Sequence, residues 1–192
     1  MKRTCVAGMC LLTLLLFGCR TALDVSKMTA DLYQSGIEAV VKISTLTGVP
    51  GEYQLRCITG ENSTTSEILK PDSIAGIKAT IESDTCRIEY MDLALDAMML
   101  PIRGMTPADC FDQTVFSLRY KVPLRYNYEK RNGKECLCLS FSEEISGYQV
   151  TKSFWLAENT LELLEGEYYL DDTLVMRMTV ETFAFTENNK KE

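Results

Sequence analysis

The sequence predicts an α+β fold: one strongly curved antiparallel sheet or open barrel of about ten strands, with two or three helices. Three observations predict it. Apolar and polar residues alternate with period two along most of the chain, in runs rich in Val, Ile, Thr and Tyr. Short turn sequences, rather than helical crossovers, separate those runs. Two stretches break the alternation with apolar residues spaced by three and four.

The first of these stretches, Asp24 to Gln34, carries Val25, Met28, Leu32 and Tyr33 on one stripe and reads as a short amphipathic helix ended near Gly36. Strands are then expected over Ile37–Leu46, Tyr53–Thr59, Thr64–Leu69, Ile77–Glu82 and Arg87–Asp92. Gly48-Val49-Pro50-Gly51, Gly60-Glu61-Asn62, Lys70-Pro71-Asp72 and Glu82-Ser83-Asp84 supply the turns between them. Thr106-Pro107-Ala108-Asp109 then sets a capping hydroxyl, a proline at the first helical position and an acid facing the positive end of the helix dipole. Cys110, Phe111, Thr114, Val115 and Leu118 continue as one stripe, so a second helix is expected from Pro107 to Tyr120, lying across the sheet. After Pro123 the alternation resumes over Leu124–Lys130, Glu135–Phe141, Tyr148–Leu156, Thr160–Leu170 and Thr173–Phe185. Asn132-Gly133 suits a type I′ hairpin, and Asp171-Asp172 makes another tight reversal.

Residues 1–18 read as a secretory signal peptide: Lys2 and Arg3 precede an apolar run, Val6 to Phe17, that is shorter than the roughly 20 residues a membrane span needs. Gly18-Cys19 resembles the lipobox of bacterial lipoproteins. That resemblance implies diacylglycerol on the Cys19 thiol and a protein held at the extracytoplasmic face of a bacterial cell membrane. Phe17 stands where the motif has a small residue, and a plain signal peptide cut nearby, with Cys19 incidental, is the alternative. Two or three acyl chains anchor stably where one does not. The division is then a lipidated Cys19 with a tether to residue 23, a single domain over 24–186 and a polar tail over 187–192.

Losing Lys2 and Arg3 leaves 18 of the 20 basic residues against 27 acidic ones, a formal charge of −9 for the mature chain. A surface of that sign repels polyanions, and no basic cluster with interleaved aromatics exists, so nucleic-acid binding is excluded. The mature chain keeps five cysteines besides Cys19: Cys57, Cys86, Cys110, Cys136 and Cys138. An odd number leaves at least one thiol free or shared between chains. Cys136 and Cys138 stand two apart on an expected strand and face the same way, a poor geometry for bridging each other. They are expected to be buried apolar thiols, with a Cys57–Cys86 bridge open as a second arrangement. A zinc site lacks a second cysteine pair and any histidine. The absence of histidine also removes Ser-His-Asp and Cys-His chemistry and the commonest general base.

Carboxylate pairs remain. Glu143-Glu144 and Asp171-Asp172 are expected in solvated turns, and Glu162, Glu165 and Glu167 on an exposed sheet face, so no acid/base pair and no enzyme is expected. The candidate binding residues are apolar. Met98, Met99, Leu100 and Met105 fall in a loop before the second helix, and Leu174, Met176, Met178 and Val180 alternate onto one face of the last strand. Flexible thioethers suit a groove for variable apolar partners, an acyl chain above all. The competing reading makes both sets core filling.

Glu67-Ile68-Leu69-Lys70-Pro71, Ile74-Ala75-Gly76-Ile77 and Ile88-Glu89-Tyr90-Met91-Asp92-Leu93, set between a lipobox and a capped helix, resemble the LolA/LolB-type lipoprotein fold over about residues 24–186. More narrowly, the chain resembles the lipid-anchored GerS-type germination lipoproteins of Gram-positive spore formers. The resemblance implies an unclosed antiparallel half-barrel with helices across its concave face. It implies a non-catalytic role in one of two forms: partnering an envelope protein such as a cell-wall amidase, or holding a lipid as a LolB-like lipoprotein acceptor. It carries no site residue over, and no cofactor beyond the acyl anchor on Cys19.

Overall fold

The computed structural model describes residues 21–48, 50–98 and 102–186. The signal peptide, Cys19, Met99, Leu100 and the tail over 187–192 lie outside the described residues.

Helix α1, Ala22–Tyr33, begins two residues before the expected Asp24 because Thr21 and Asp24 form a reciprocal capping box, each satisfying the other's backbone N–H. Its buried side chains are Val25, Thr29 and Tyr33. Six strands follow as hairpins: β1 Gly36–Thr45, β2 Gly51–Thr59, β3 Ser63–Lys70, β4 Lys78–Glu82, β5 Thr85–Tyr90 and β6 Leu93–Met98. Helix α2, Cys110–Tyr120, leads into β7 Arg125–Arg131, β8 Lys134–Ile145, β9 Tyr148–Ala157, β10 Leu163–Leu170 and β11 Thr173–Thr186.

All eleven strands form one antiparallel sheet in the order β6-β5-β4-β3-β2-β1-β11-β10-β9-β8-β7. Two meanders therefore meet where β1 pairs with β11, and the sheet is left unclosed, with β6 and β7 as its edges. The alternation fixes which face is buried. Ile37, Ala39, Val41 and Ile43 of β1 point inward, opposite Phe185, Phe183, Val180 and Met178 of β11. A bulge between Val40 and Val41 places Glu181 as the extra residue, which is why the inward positions of β11 change from even to odd numbers along the strand. Both helices lie on this inner face, where Tyr33, Phe111, Val115 and Leu118 join Leu55, Leu137, Leu139, Phe154, Leu156 and Tyr168 in one core.

The strand count is eleven against about ten expected, and the described residues hold two α-helices. The added strand is β6, which the sequence pattern left in a loop. Helix α2 starts at Cys110, not Pro107: Asp109 is its cap, and the Asp109 carboxylate accepts from the backbone N–H of Gly104 and of Thr106, folding the preceding segment onto the helix instead of extending it. The five cysteines are all free and buried. The Cys57–Cys86 arrangement fails on topology, since β2 and β5 are three strand spacings apart, about 14 Å, where a disulfide spans less than about 7 Å between Cα atoms. Cys57 instead pairs with Ser66 across β2–β3 at 3.6 Å.

Candidate binding surface

The inner face has a closed part and an open part. Beneath the helices the closed part is filled by side chains that also satisfy one another: Tyr33 donates to the Leu161 carbonyl at 2.9 Å, and Tyr168 to the Cys110 carbonyl at 3.1 Å. Burial pushes both phenols far above their ordinary range, so they stay neutral donors. Met176 and Met178 belong to this core, and Met105 and Val180 pack against it from partly exposed positions. Leu174 is displaced from the set by a second bulge, between Tyr168 and Tyr169 of β10, so that Val175 packs on the core in its stead. Met98 lies on β6, and nothing further is described of its side chain. Of the five candidates with described side chains, Met176 and Met178 are core, Met105 and Val180 pack against it, and Leu174 turns away from it.

The open part was not legible in advance. A single transverse row crosses six strands on the inner face: Ala39, Cys57, Ser66, Ala79, Ile88 and Leu95. Exposure along it climbs from 0% at Ala39 to 5% at Ala79, 37% at Ile88 and 64% at Leu95. Ala108, ahead of α2, packs on Ala79, Ile81 and Cys86, and among the described residues the cover ends there. Beyond it Tyr90 and Leu93 pair on the same face, and Leu93 is exposed. Where this shelf meets α2 there is a cavity of about 200 Å³, walled by Thr64, Ile81 and Arg103 on one side and by Asp112, Phe116 and Tyr120 on the other. Burial raises the Asp112 carboxyl above its ordinary value. Arg119, on the same wall, donates to the carbonyls of Tyr33 and Ser35 at 2.5 and 3.2 Å, tying α2 to the end of α1.

Two polar clusters support this architecture. Lys152 points inward from β9 and is almost wholly buried; its ammonium meets the Glu143 carboxylate at 3.2 Å, and Lys121 meets the other oxygen at 2.5 Å. Burial lowers the Lys152 pKa, with Glu143 opposing that shift; the two lysines together hold the Glu143 pKa below its ordinary value against the effect of burial. Glu143 and Glu144 thus stand on β8, not in a turn. On the outer face Arg131 stacks over Trp155 at 3.7 Å and donates to Glu165 and Glu167, while Trp155 donates to Glu129. Glu167 is consequently buried, although its alternation with leucine and tyrosine reads as a solvated face. Cys136 and Cys138 lie beside Trp155, on one face as expected. Among the described residues no group of three or more His, Cys, Asp or Glu side chains is placed to hold a metal, and no helix is long and apolar enough to cross a membrane.

No family model matches the sequence, and no curated protein matches it. Solved structures do. The chain is similar to a conserved protein of Thermus thermophilus at 12% identity and a TM-score of 0.57, over 88% of this chain and 89% of that one. It is similar to a domain described as an outer membrane lipoprotein-sorting protein from Vibrio parahaemolyticus at 13% identity and a TM-score of 0.50, over 88% and 93%. A protein of the DUF1329 family from Desulfovibrio piger matches at 12% identity and a TM-score of 0.50, over 85% and 91%. At these identities the likeness shows the fold: an unclosed, curved antiparallel sheet shared with a lipoprotein-sorting domain.

Proposed function

We propose that this protein is a non-catalytic accessory lipoprotein of the bacterial envelope, anchored to the cell membrane through Cys19, that binds another envelope protein on the open shelf of β4–β6. The observation that carries the reading is the exposure gradient ending at Leu95: the inner face stays apolar to its edge but loses its cover. The side chains that fill the space beneath the helices support a protein resting on the shelf over an acyl chain swallowed into the interior. The GerS-type resemblance makes a cell-wall amidase the first partner to try. The fold shared with the Vibrio lipoprotein-sorting domain favours a second reading, in which the shelf takes the acyl chain of a lipid or lipoprotein.

Affinity purification of the detergent-solubilised protein, with mass spectrometry of proteins and lipids, separates the two. Burying one leucine contributes about 1.5–3 kcal/mol, so Leu95→Asp should weaken a partner resting on the shelf by tenfold or more. An envelope protein retained by the wild type and lost from Leu95→Asp supports the first reading. A stoichiometric lipid, lost from the same variant with no protein, establishes the second.

A further inference from the structure

Leu23, Val122 and Leu124 are large apolar side chains left in solvent, and all three cluster where the chain enters the fold. Ser26, one helical turn after Leu23 on the same side of α1, donates to the carbonyl of Lys121 at 3.2 Å, which sets the start of α1 beside the end of α2. From Lys121 the chain runs extended. Pro123 is buried, so Val122 and Leu124 on either side of it both turn outward, and the Leu124 N–H is fixed to the Ser140 carbonyl at 2.8 Å. Leu124 is the most exposed of the three, at 72%. A shallow cavity of about 370 Å³ lined by Val122, Leu124 and Phe141 continues the patch toward β8.

Cys19 stands three peptide units before Ala22, so no more than about 11 Å of chain separates it from the first residue of α1. We propose that Leu23, Val122 and Leu124 form a seat that rests in the surface of the phospholipid bilayer carrying the Cys19 anchor, and so fix the orientation of the domain on its membrane. The inference rests on the reading of Cys19 as lipidated. The patch suits lipid by apolar contact, not by charge: Lys121, the cation at its edge, is engaged by Glu143. Side chains of this kind settle about 5–10 Å into the boundary between headgroups and acyl chains.

The test places a tryptophan in the seat and reads its quenching by brominated phosphatidylcholine, with Trp155 as a common background. Leu124→Trp and Leu23→Trp are made in the full lipidated chain on phosphatidylcholine vesicles. Glu158→Trp, exposed beyond the far end of β9, is the control. Brominated lipid should quench both seat variants about twofold or more over the control. Chains that float with the vesicles yet show seat variants no more quenched than the control overturn the seat and leave the patch to a protein partner. The mature chain from residue 20, tethered by an N-terminal hexahistidine to nickel-chelating vesicles, separates the two readings. Wild-type chain that fails to float, with seat variants still quenched in the tethered form, overturns lipidation and upholds the seat.

Discussion

The Lys152–Glu143 pair offers the sharpest quantitative test of how the inner face is held. At 3.2 Å and an effective dielectric constant of about 20 the two charges attract by about 5 kcal/mol. Glu143 is 31% exposed at its side chain, and water screening roughly halves that figure to 2–3 kcal/mol. Glu143→Gln should therefore destabilise the protein by about 2–3 kcal/mol, mostly by leaving the buried Lys152 ammonium unpaired. Lys152→Met, which removes the buried charge and keeps the volume, should be neutral or stabilising, because Glu143 retains Lys121. The pH dependence has a definite sign. Lys152 has a folded pKa below its ordinary 10.5, so the unfolded chain binds the extra proton between those two values and stability rises with pH through that window. Losing Glu143 lowers the folded pKa further and widens the window downward, so the deficit of Glu143→Gln shrinks as pH is raised toward 10.5. Urea denaturation at a series of pH values measures all three. A deficit that does not vary with pH, or a Lys152→Met loss as large as that of Glu143→Gln, would refute the reasoning.

Three more expectations concern other parts of the molecule. The five buried thiols should resist iodoacetamide at about pH 8 until the chain is unfolded, since burial pushes Cys57 up to about 12 and Cys138 up to about 11; alkylation of either in the native protein, read by mass spectrometry, would contradict this. Arg131→Lys should cost about 1–2 kcal/mol and alter Trp155 fluorescence, because lysine keeps the charge but loses the stacked plane and the two-carboxylate fork. Gly104→Ala should cost about 1–3 kcal/mol by thermal unfolding: Gly104 has φ +82° and a Cβ there would lie 2.9 Å from the Gln113 Cβ, so an unchanged melting temperature would show that the loop simply moves.

Most strands were legible because one face of each is buried. Ile37, Ala39, Val41 and Ile43 alternate with Glu38 and Lys42 on β1, and Asn132 and Gly133, at φ 51° and 81°, turn the β7–β8 hairpin as their residue types require. β6 was not legible. Leu93-Ala94-Leu95-Asp96-Ala97 has no β-branched residue, and it becomes a strand only because Ile88 and Tyr90 of β5 pair with Leu95 and Leu93. The shelf was missed for the same reason, since its apolar residues sit on two short strands whose pairing no local pattern reveals. For Met176 and Met178 the alternation left a groove and a filled core both open, because it shows which residues of β11 face inward but not whether the space they face is filled. Glu167 was misread because an acid alternating with leucine and tyrosine looks solvated until Arg131 and Arg177, from other strands, close over it.

The order of the sheet sets how far apart its edges lie, and its curvature undoes part of that distance. β6 and β7 are its two edges, ten strand spacings apart, which is at most about 48 Å along the curve. The curve brings the two ends back together: Tyr120, four residues before Leu124, walls the same cavity as Ile81 of β4. With Leu124 resting on lipid, a partner on the shelf would be met close to the headgroups, and one tethered to the same bilayer would need only a short stalk.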